Sequence, residues 1–338
     1  VSIILPKTSY LSPINGNVDM ESQTFTPIQF YGNFKINDRL SAGIGVNNTF
    51  GLGTKWDDDW EGKFVSQEIE LVAFFIHPTL SYKISDNVGV GAGITYATGE
   101  VLIRRAVPVT STAAYGQAHL DGTGSGIGFN AGLFFQLNDK ASAGIAYRSQ
   151  LKVEVDDGTA QFTDIPTSLA SNFPAETKFT TELTLPSVLS FGVGYQFTDE
   201  LLIALDLNIT GWTTYDSLEL TFPEASSLNS SEPRKYENAI AIRLGGEYRY
   251  NDKMKFRAGF AYDQTPIQDD YVGPDLPDND KIIVNLGLGY KVNEKLSVDL
   301  AYLWEDVMER KAENISSGFA GTYKTRLSAF AVGVNYNF

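Results

Sequence analysis

Residues 329–338 read Ala-Phe-Ala-Val-Gly-Val-Asn-Tyr-Asn-Phe, and their parity decides the fold. Phe330, Val332, Val334, Tyr336 and Phe338 fall on one face of an extended strand. Ala329, Ala331, Gly333, Asn335 and Asn337 fall on the other. Successive side chains of a strand point to opposite sides, so period two over this length predicts a β-strand with unlike faces. The pattern repeats upstream. Leu296, Val298, Leu300, Tyr302 and Trp304 alternate with Ser297, Asp299, Ala301 and Glu305. Val88, Val90, Ala92, Ile94 and Tyr96 alternate with Gly89, Gly91, Gly93 and Thr95, and Ile28, Phe30, Phe34 and Ile36 with Gln29, Tyr31, Asn33 and Lys35.

The unlike faces separate two kinds of all-β protein. A soluble sandwich turns its large apolar residues inward and its charges out. Here the large apolar face often ends in Tyr, Phe or Trp. The other face is glycine, alanine, amide and charge, with Asp206, Arg243, Arg257 and Asp299 among the charges. That is the expectation for an antiparallel transmembrane β-barrel, apolar toward lipid and polar toward the lumen. The 31 glycines, 21 phenylalanines and 17 tyrosines suit strands and tight turns. The longest apolar run, Leu71 to Ile76, is too short for a membrane-spanning helix, and a barrel needs none. A net charge of −15 argues against nucleic acid, whose phosphates need a basic surface. The chain has no cysteine, so neither a disulfide framework nor a thiolate metal site is available.

Short polar turns near 37, 86, 138, 199, 252 and 294 each lie between two alternating segments. Longer, irregular stretches lie between them, at 12–22, 51–64, 104–122, 154–178, 219–236, 264–280 and 309–321. Short turns on one side and long loops on the other is the outer-membrane arrangement, with the short side periplasmic. Six hairpins and one further strand at each end predict fourteen strands in a single barrel over 1–338. A lumen of that size stays open unless plugged. No segment reads as a plug, and the chain opens at Val1 without a starter methionine or signal peptide. An N-terminal hatch is therefore expected to lie outside it.

Several motifs in order resemble the long-chain fatty acid and hydrophobic-compound transporters of the outer membrane, the FadL-like family. They are Phe50-Gly51-Leu52-Gly53-Thr54-Lys55-Trp56, Leu185-Pro186-Ser187, Phe191-Gly192-Val193-Gly194-Tyr195 and Thr210-Gly211-Trp212. Ile242-Arg243-Leu244-Gly245, Phe256-Arg257-Ala258-Gly259-Phe260 through Pro266, and Leu276-Pro277-Asp278-Asn279-Asp280 follow in the same sequence. The resemblance spans the whole chain. It implies a fourteen-stranded barrel with a hatch, capture of an apolar ligand on the third and fourth extracellular loops, and sideways exit at a kink of the third strand. The chain departs from the family in lacking the hatch and its Asn-Pro-Ala element, and its third and fourth loops are rather short.

On that resemblance Gly51 and Gly53, at the exit of the third strand beside Phe50, are the expected kink; an ordinary loop entry is the plain alternative. Val107, Val109, Ala113, Ala114 and Tyr115 of loop three, with Ile165, Leu169 and Phe173 of loop four, are the expected apolar capture surface. They could equally pack together only to order the loops. The family pairs the fatty acid carboxylate with basic residues, which points to Arg104, Arg105, Arg234 and Lys235. Rim charges in solvent are the alternative for each. Acid runs at Asp57-Asp58-Asp59, Asp156-Asp157 and Asp269-Asp270 lack the spacing of a dedicated Ca²⁺ loop and read as solvated tips. His77 and His119 stand in no triad, and no G-x-G-x-x-G occurs, so neither an enzyme nor a bound cofactor or metal is expected.

The function expected is passive, diffusive uptake of fatty acids or similar hydrophobic molecules across the bacterial outer membrane, by a monomer. The expected partners are outer-membrane lipid and, through the C-terminal Phe338, the barrel-insertion machinery. A plugged adhesin-type or structural barrel and a general porin are the rival classes.

Overall fold

The protein was analysed as a computed structural model, which describes residues 1–109 and 115–338. Strands run over Ser2–Ser12 (β1), Gly16–Asp19 (β2), Phe30–Lys35 (β3), Leu40–Asn47 (β4), Gly51–Lys55 (β5), Glu68–Ser85 (β6) and Val88–Pro108 (β7). They continue over Tyr115–Gln136 (β8), Ala141–Arg148 (β9), Leu151–Thr163 (β10), Glu176–Leu185 (β11), Val188–Gln196 (β12) and Leu201–Thr210 (β13). The last are Ser217–Thr221 (β14), Ser230–Pro233 (β15), Ala239–Arg249 (β16), Met254–Asp263 (β17), Lys281–Lys291 (β18), Leu296–Asn314 (β19) and Phe319–Tyr336 (β20). The helical content among the described residues is four short 3-10 turns.

All twenty strands belong to one sheet, and every pairing in it is antiparallel. The first strand lies against the last, from Ser2 opposite Ala331 to Leu11 opposite Thr322. Its other edge takes β2 and a bridge from Ile4 to Phe25.

The structure thus has twenty strands where fourteen were expected, and the extra count arises from interruptions. The β4–β5 pair is broken at 48–50, yet both pieces pair with β6. Ser149 and Gln150 separate β9 from β10, and Pro186 with Ser187 separates β11 from β12. Proline has no N–H to give a ladder, so the last break is written into the sequence. The breaks fall at one level. Asn130, Arg148, Val188, Thr210 and Ala239 are successive cross-strand partners. The last four are each the terminal residue of a strand. Below this seam the ladder is regular; above it the same strand order carries on, β10 beside β8, β11 beside β10, β14 beside β11 and β15 beside β14. The stretches 104–122 and 154–178, read from sequence as loops, are largely strand here because β7, β8, β10 and β11 run beyond the seam.

Parity sorts the side chains as the alternation requires. Ile127 is 71% exposed, Val334 66% and Leu286 57%, all on the outer parity. Exposed rings cluster beside the short turns: Phe34, Tyr82, Tyr195, Phe197, Tyr248, Tyr250, Tyr290 and Tyr336. This is a lipid band with an aromatic girdle at the short-turn rim. On the inner parity, charges are matched. Glu247 accepts from Lys255 at 2.7 Å and from Arg257 at 2.8 Å, while Arg257 also meets Asp299 at 2.5 Å. Asn335 donates to the other oxygen of Asp299 at 2.7 Å. Asp206 and Arg243 are direct cross-strand partners.

The lipid face makes a test. Leu286 sits at the middle of β18, so Leu286→Arg should destabilise the barrel by about 2–4 kcal/mol in lipid. Asn285→Arg, one residue away on the lumen parity, should cost far less. Urea titrations of both variants in phospholipid vesicles measure the difference; equal losses would contradict the assignment of faces.

Candidate functional site

Above the seam the strands build an apolar chamber. Val107, Val109, Leu120, Val155, Phe162, Phe179, Leu220 and Phe222 form one buried cluster. Its elements are the upper ends of β7 and β8, the strands β10 and β11, and the segment from β14 to Phe222. The Phe162 and Phe173 rings lie 5.5 Å apart, and Phe179 and Phe222 6.1 Å. Ile165, Leu169 and Phe173 pack partly buried against the cluster, Leu169 held by a 3-10 turn at Thr167–Leu169. Within this chamber is a cavity of about 380 Å³, lined by Phe64, Val107, Leu120, Phe162, Phe173 and Phe222 among others. The expected residues Ala113 and Ala114 lie outside the described residues.

Tyr115 stands at the rim. Its hydroxyl donates to Asp59 at 2.6 Å, and the Lys63 ammonium lies 4.1 Å from its ring centre. The carboxylate beside it pushes the phenol up to about 12, and the same hydrogen bond, with Lys63, holds Asp59 below its usual range.

The four expected cations all have protein carboxylates as partners. Arg104 contacts Asp58, and lies 3.6 Å from Glu68. Arg105 is 3.3 Å from Glu232. Arg234 is buried, 2.6 Å from Asp275 and 3.4 Å from Glu232. Lys235, exposed and in a left-handed backbone conformation, meets Asp216 at 2.7 Å.

Two further cavities continue from the chamber. A narrow slot of about 90 Å³ is walled by aliphatic and aromatic side chains, Leu71, Val153, Phe179, Leu183, Leu218 and Leu220 among them. It shares Ile69, Ile103, Leu218 and Leu220 with the chamber. It shares Leu52, Ile69, Leu71, Leu183, Leu185 and Tyr215 with the lumen, a cavity of about 1300 Å³. The three spaces therefore form one series, loop chamber to slot to lumen, with Ile69 on the wall of all three.

Phe50 lies where the slot opens into the lumen, its ring 5.8 Å from Phe75 and 5.5 Å from Trp212. Next to it the wall is thin. The last pair joining β3 to β4 is Phe30–Val46, and the next backbone bond between these two lengths of chain is Glu21 N–H to Lys55 O. Between those points 47–54 and 22–29 share no backbone hydrogen bond among the described residues. Gly51 and Gly53 edge this gap, and the ring of Phe25 lies on Gly53 so closely that a Cβ there would collide with it. Sequence reading missed Phe25, Phe75, Trp212, Leu220 and Phe222. The alternation of Leu218, Leu220 and Phe222, running into the stretch 219–236 taken as an irregular loop, was the available signal.

Comparison with known proteins points the same way. The family model for outer membrane protein transport protein (OMPP1/FadL/TodX) matches residues 8–338. Outer membrane protein P1 of Haemophilus influenzae is 26% identical over 343 residues, covering 90% of this chain and 73% of that protein. The long-chain fatty acid transport protein of Escherichia coli K12 is 24% identical over 341 residues, covering 90% and 74%. Among solved structures, a Pseudomonas aeruginosa FadL homologue superposes with a TM-score of 0.87 at 21% identity, covering all of this chain and 89% of the other. The Pseudomonas putida toluene transporter TodX gives 0.73 at 16% identity, with 100% and 88% covered.

Asp59→Asn removes the charge that opposes phenolate formation at the chamber rim. The Tyr115 phenol should then fall from about 12 toward its ordinary value near 10. Carbon-13 NMR of ring-labelled tyrosine across alkaline pH reads this directly. An unmoved Tyr115 would mean that Asp59 is not its partner.

Proposed function

The chain belongs to the OMPP1/FadL/TodX family of outer-membrane transport proteins, and from that premise we propose that it carries fatty acids or similar hydrophobic molecules inward along the chamber, slot and lumen. The observation that carries the reading is the shared lining of the three cavities, which sets the loop chamber, the apolar slot and the lumen side by side from the extracellular end to the barrel interior. Transport is passive and needs no cofactor. Each methylene taken from water contributes roughly 0.8 kcal/mol, so about ten of them in the route supply ample affinity for capture. On this reading the twenty strands are fourteen barrel strands, several cut at the seam. The barrel works as a monomer, and Phe338 is its address to the insertion machinery.

Val107, Val109, Tyr115, Ile165, Leu169 and Phe173 form the capture surface. Arg104, Arg105, Arg234 and Lys235 reach a ligand carboxylate only by exchange with Asp58, Glu68, Glu232, Asp275 and Asp216. Exit is lateral, through the gap edged by Gly51 and Gly53 with Phe25 across it. Backbone without partners is costly in lipid, so a wall that leaves 22–29 and 47–54 unjoined is retained for a purpose.

Two experiments separate the parts of this reading. Leu220→Asp puts an unpaired carboxylate in the slot. Burying it costs more than about 1.4 kcal/mol, so uptake of oleate or of an alkylbenzene by whole cells should fall at least about tenfold. Undiminished uptake by a correctly assembled variant removes the slot from the route. At the gap, a Cβ added at Gly51 meets nothing closer than Leu71 O at 3.6 Å, and Gly51→Val should stiffen the strand and slow uptake. Phe25→Ala should speed it. If both assembled variants match the wild type, exit lies elsewhere.

A further inference from the structure

The chamber meets the lumen at a second place besides the slot. Ile69, Arg234 and Asp275 line both spaces, so a single layer of side chains divides them there, and its polar part is an ion pair. Arg234 follows β15 and meets Asp275 at 2.6 Å, with only 9% of its side chain and 14% of the Asp275 side chain exposed. On the other flank of Arg234 lies Glu232 at 3.4 Å, and Glu232 is 3.3 Å from Arg105 at the upper end of β7. All four line the chamber. Charges of alternating sign thus run from the wall strand β7 across to the segment 264–280.

Both halves of the buried pair are pinned. The Arg234 N–H donates to Asp216 O at 2.7 Å. Asp275 O accepts from Thr54 Oγ1 at 3.2 Å, and the preceding Pro274 O accepts from the indole N–H of fully buried Trp56 at 2.9 Å. Thr54 is itself held in the ladder of β5 to β6. An exposed pair of this kind would contribute little. A buried one stays shut, because parting it leaves two charges away from water without their partners.

The two ways down from the chamber therefore differ in chemistry. A hydrated ion or sugar cannot cross the charged layer without parting the pair, and the slot beside it, walled mainly by side chains such as Leu71, Leu183 and Leu220, does not replace its hydration. A hydrocarbon tail fits the slot and finds nothing to bond in the charged layer.

We propose that the Arg234–Asp275 pair is a specificity-determining element of the route: it closes the direct passage from chamber to lumen against ions and water-soluble solutes, and so leaves entry to molecules apolar enough for the slot. The proposal rests on the route above and adds what that route turns away.

The test is electrical. The full chain is reconstituted in planar bilayers with potassium chloride as the probe, first in symmetric salt and then across a salt gradient. Wild type should pass no steady current. Asp275→Ala leaves Arg234 buried without its acid and should draw in water and anions; Arg234→Ala leaves Asp275 without its cation and should draw in water and cations. Each should show steady current steps that wild type lacks, the first anion-selective and the second cation-selective, with reversal potentials of opposite sign. Asp275→Glu, which keeps the charge, should conduct less than Asp275→Ala. Four results overturn the proposal: steady current through wild type, silence of both alanine variants, reversal potentials of one sign in both, which marks a packing fault elsewhere, or a leak in Asp275→Glu equal to that of Asp275→Ala. If one alanine variant does not assemble, the other still reports both current and sign. Undiminished uptake in Leu220→Asp would remove the slot from the route and leave these currents unchanged, so the two readings fail in different ways.

Discussion

Every backbone N–H and C=O in a bilayer must find its partner within the protein, because lipid offers none. The pairing of the first strand with the last, ten residue pairs from Ser2–Ala331 to Leu11–Thr322, meets that demand at the place where the sheet would otherwise have two open edges. The rest of the architecture depends on it. Each strand can be hydrogen-bonded on both sides and still turn one parity wholly to lipid, and the inner parity is freed from any duty to pack a dry core. Glycine, alanine and amides can then line a wide lumen, and charges can stand there in matched sets such as Glu247, Arg257 and Asp299.

With the ladder so complete elsewhere, its departures carry the functional argument. The gap between 22–29 and 47–54 sits beside Phe50, and the seam passes through Arg148. Both lie where the slot meets the lumen. Slot and chamber above are built from side chains larger and more apolar than the lumen wall below. The protein therefore joins two environments, one that dissolves a hydrocarbon tail and one that tolerates charge, at a single level.

Much of this was legible in the chain. Parity alone separates Phe330, Val332 and Val334 from Ala331, Gly333 and Asn335, and so fixes the all-β class and the lipid face. The strand count was not legible, because alternation continues across breaks such as 48–50 and 149–150, where no proline marks the interruption and the pieces on both sides keep a common neighbour, β6 and β8 respectively. Pro186 was the exception, a visible stop. In the site, Val107, Val109 and Phe173 could be picked out as apolar residues in polar surroundings. That Arg104, Arg105, Arg234 and Lys235 each meet an acid depends on residues at least 19 positions away. The contact of Phe25 with Gly53 is likewise beyond local pattern, since it joins two strands that fail to pair.

The seam has a meaning for how such a chain can change over time. A strand slipped by one residue turns its whole lipid face inward, so an insertion inside a continuous ladder is ruinous. At Arg148, Val188, Thr210 and Ala239 the ladder is interrupted, and β10, β11, β14 and β15 resume it above in the same strand order. Residues added or removed at the upper ends of β10, β11, β14 or β15, above the interruption, leave the pairs of β9, β12, β13 and β16 in register. The upper storey can be rebuilt around a new cargo while the foundation in the membrane stands untouched.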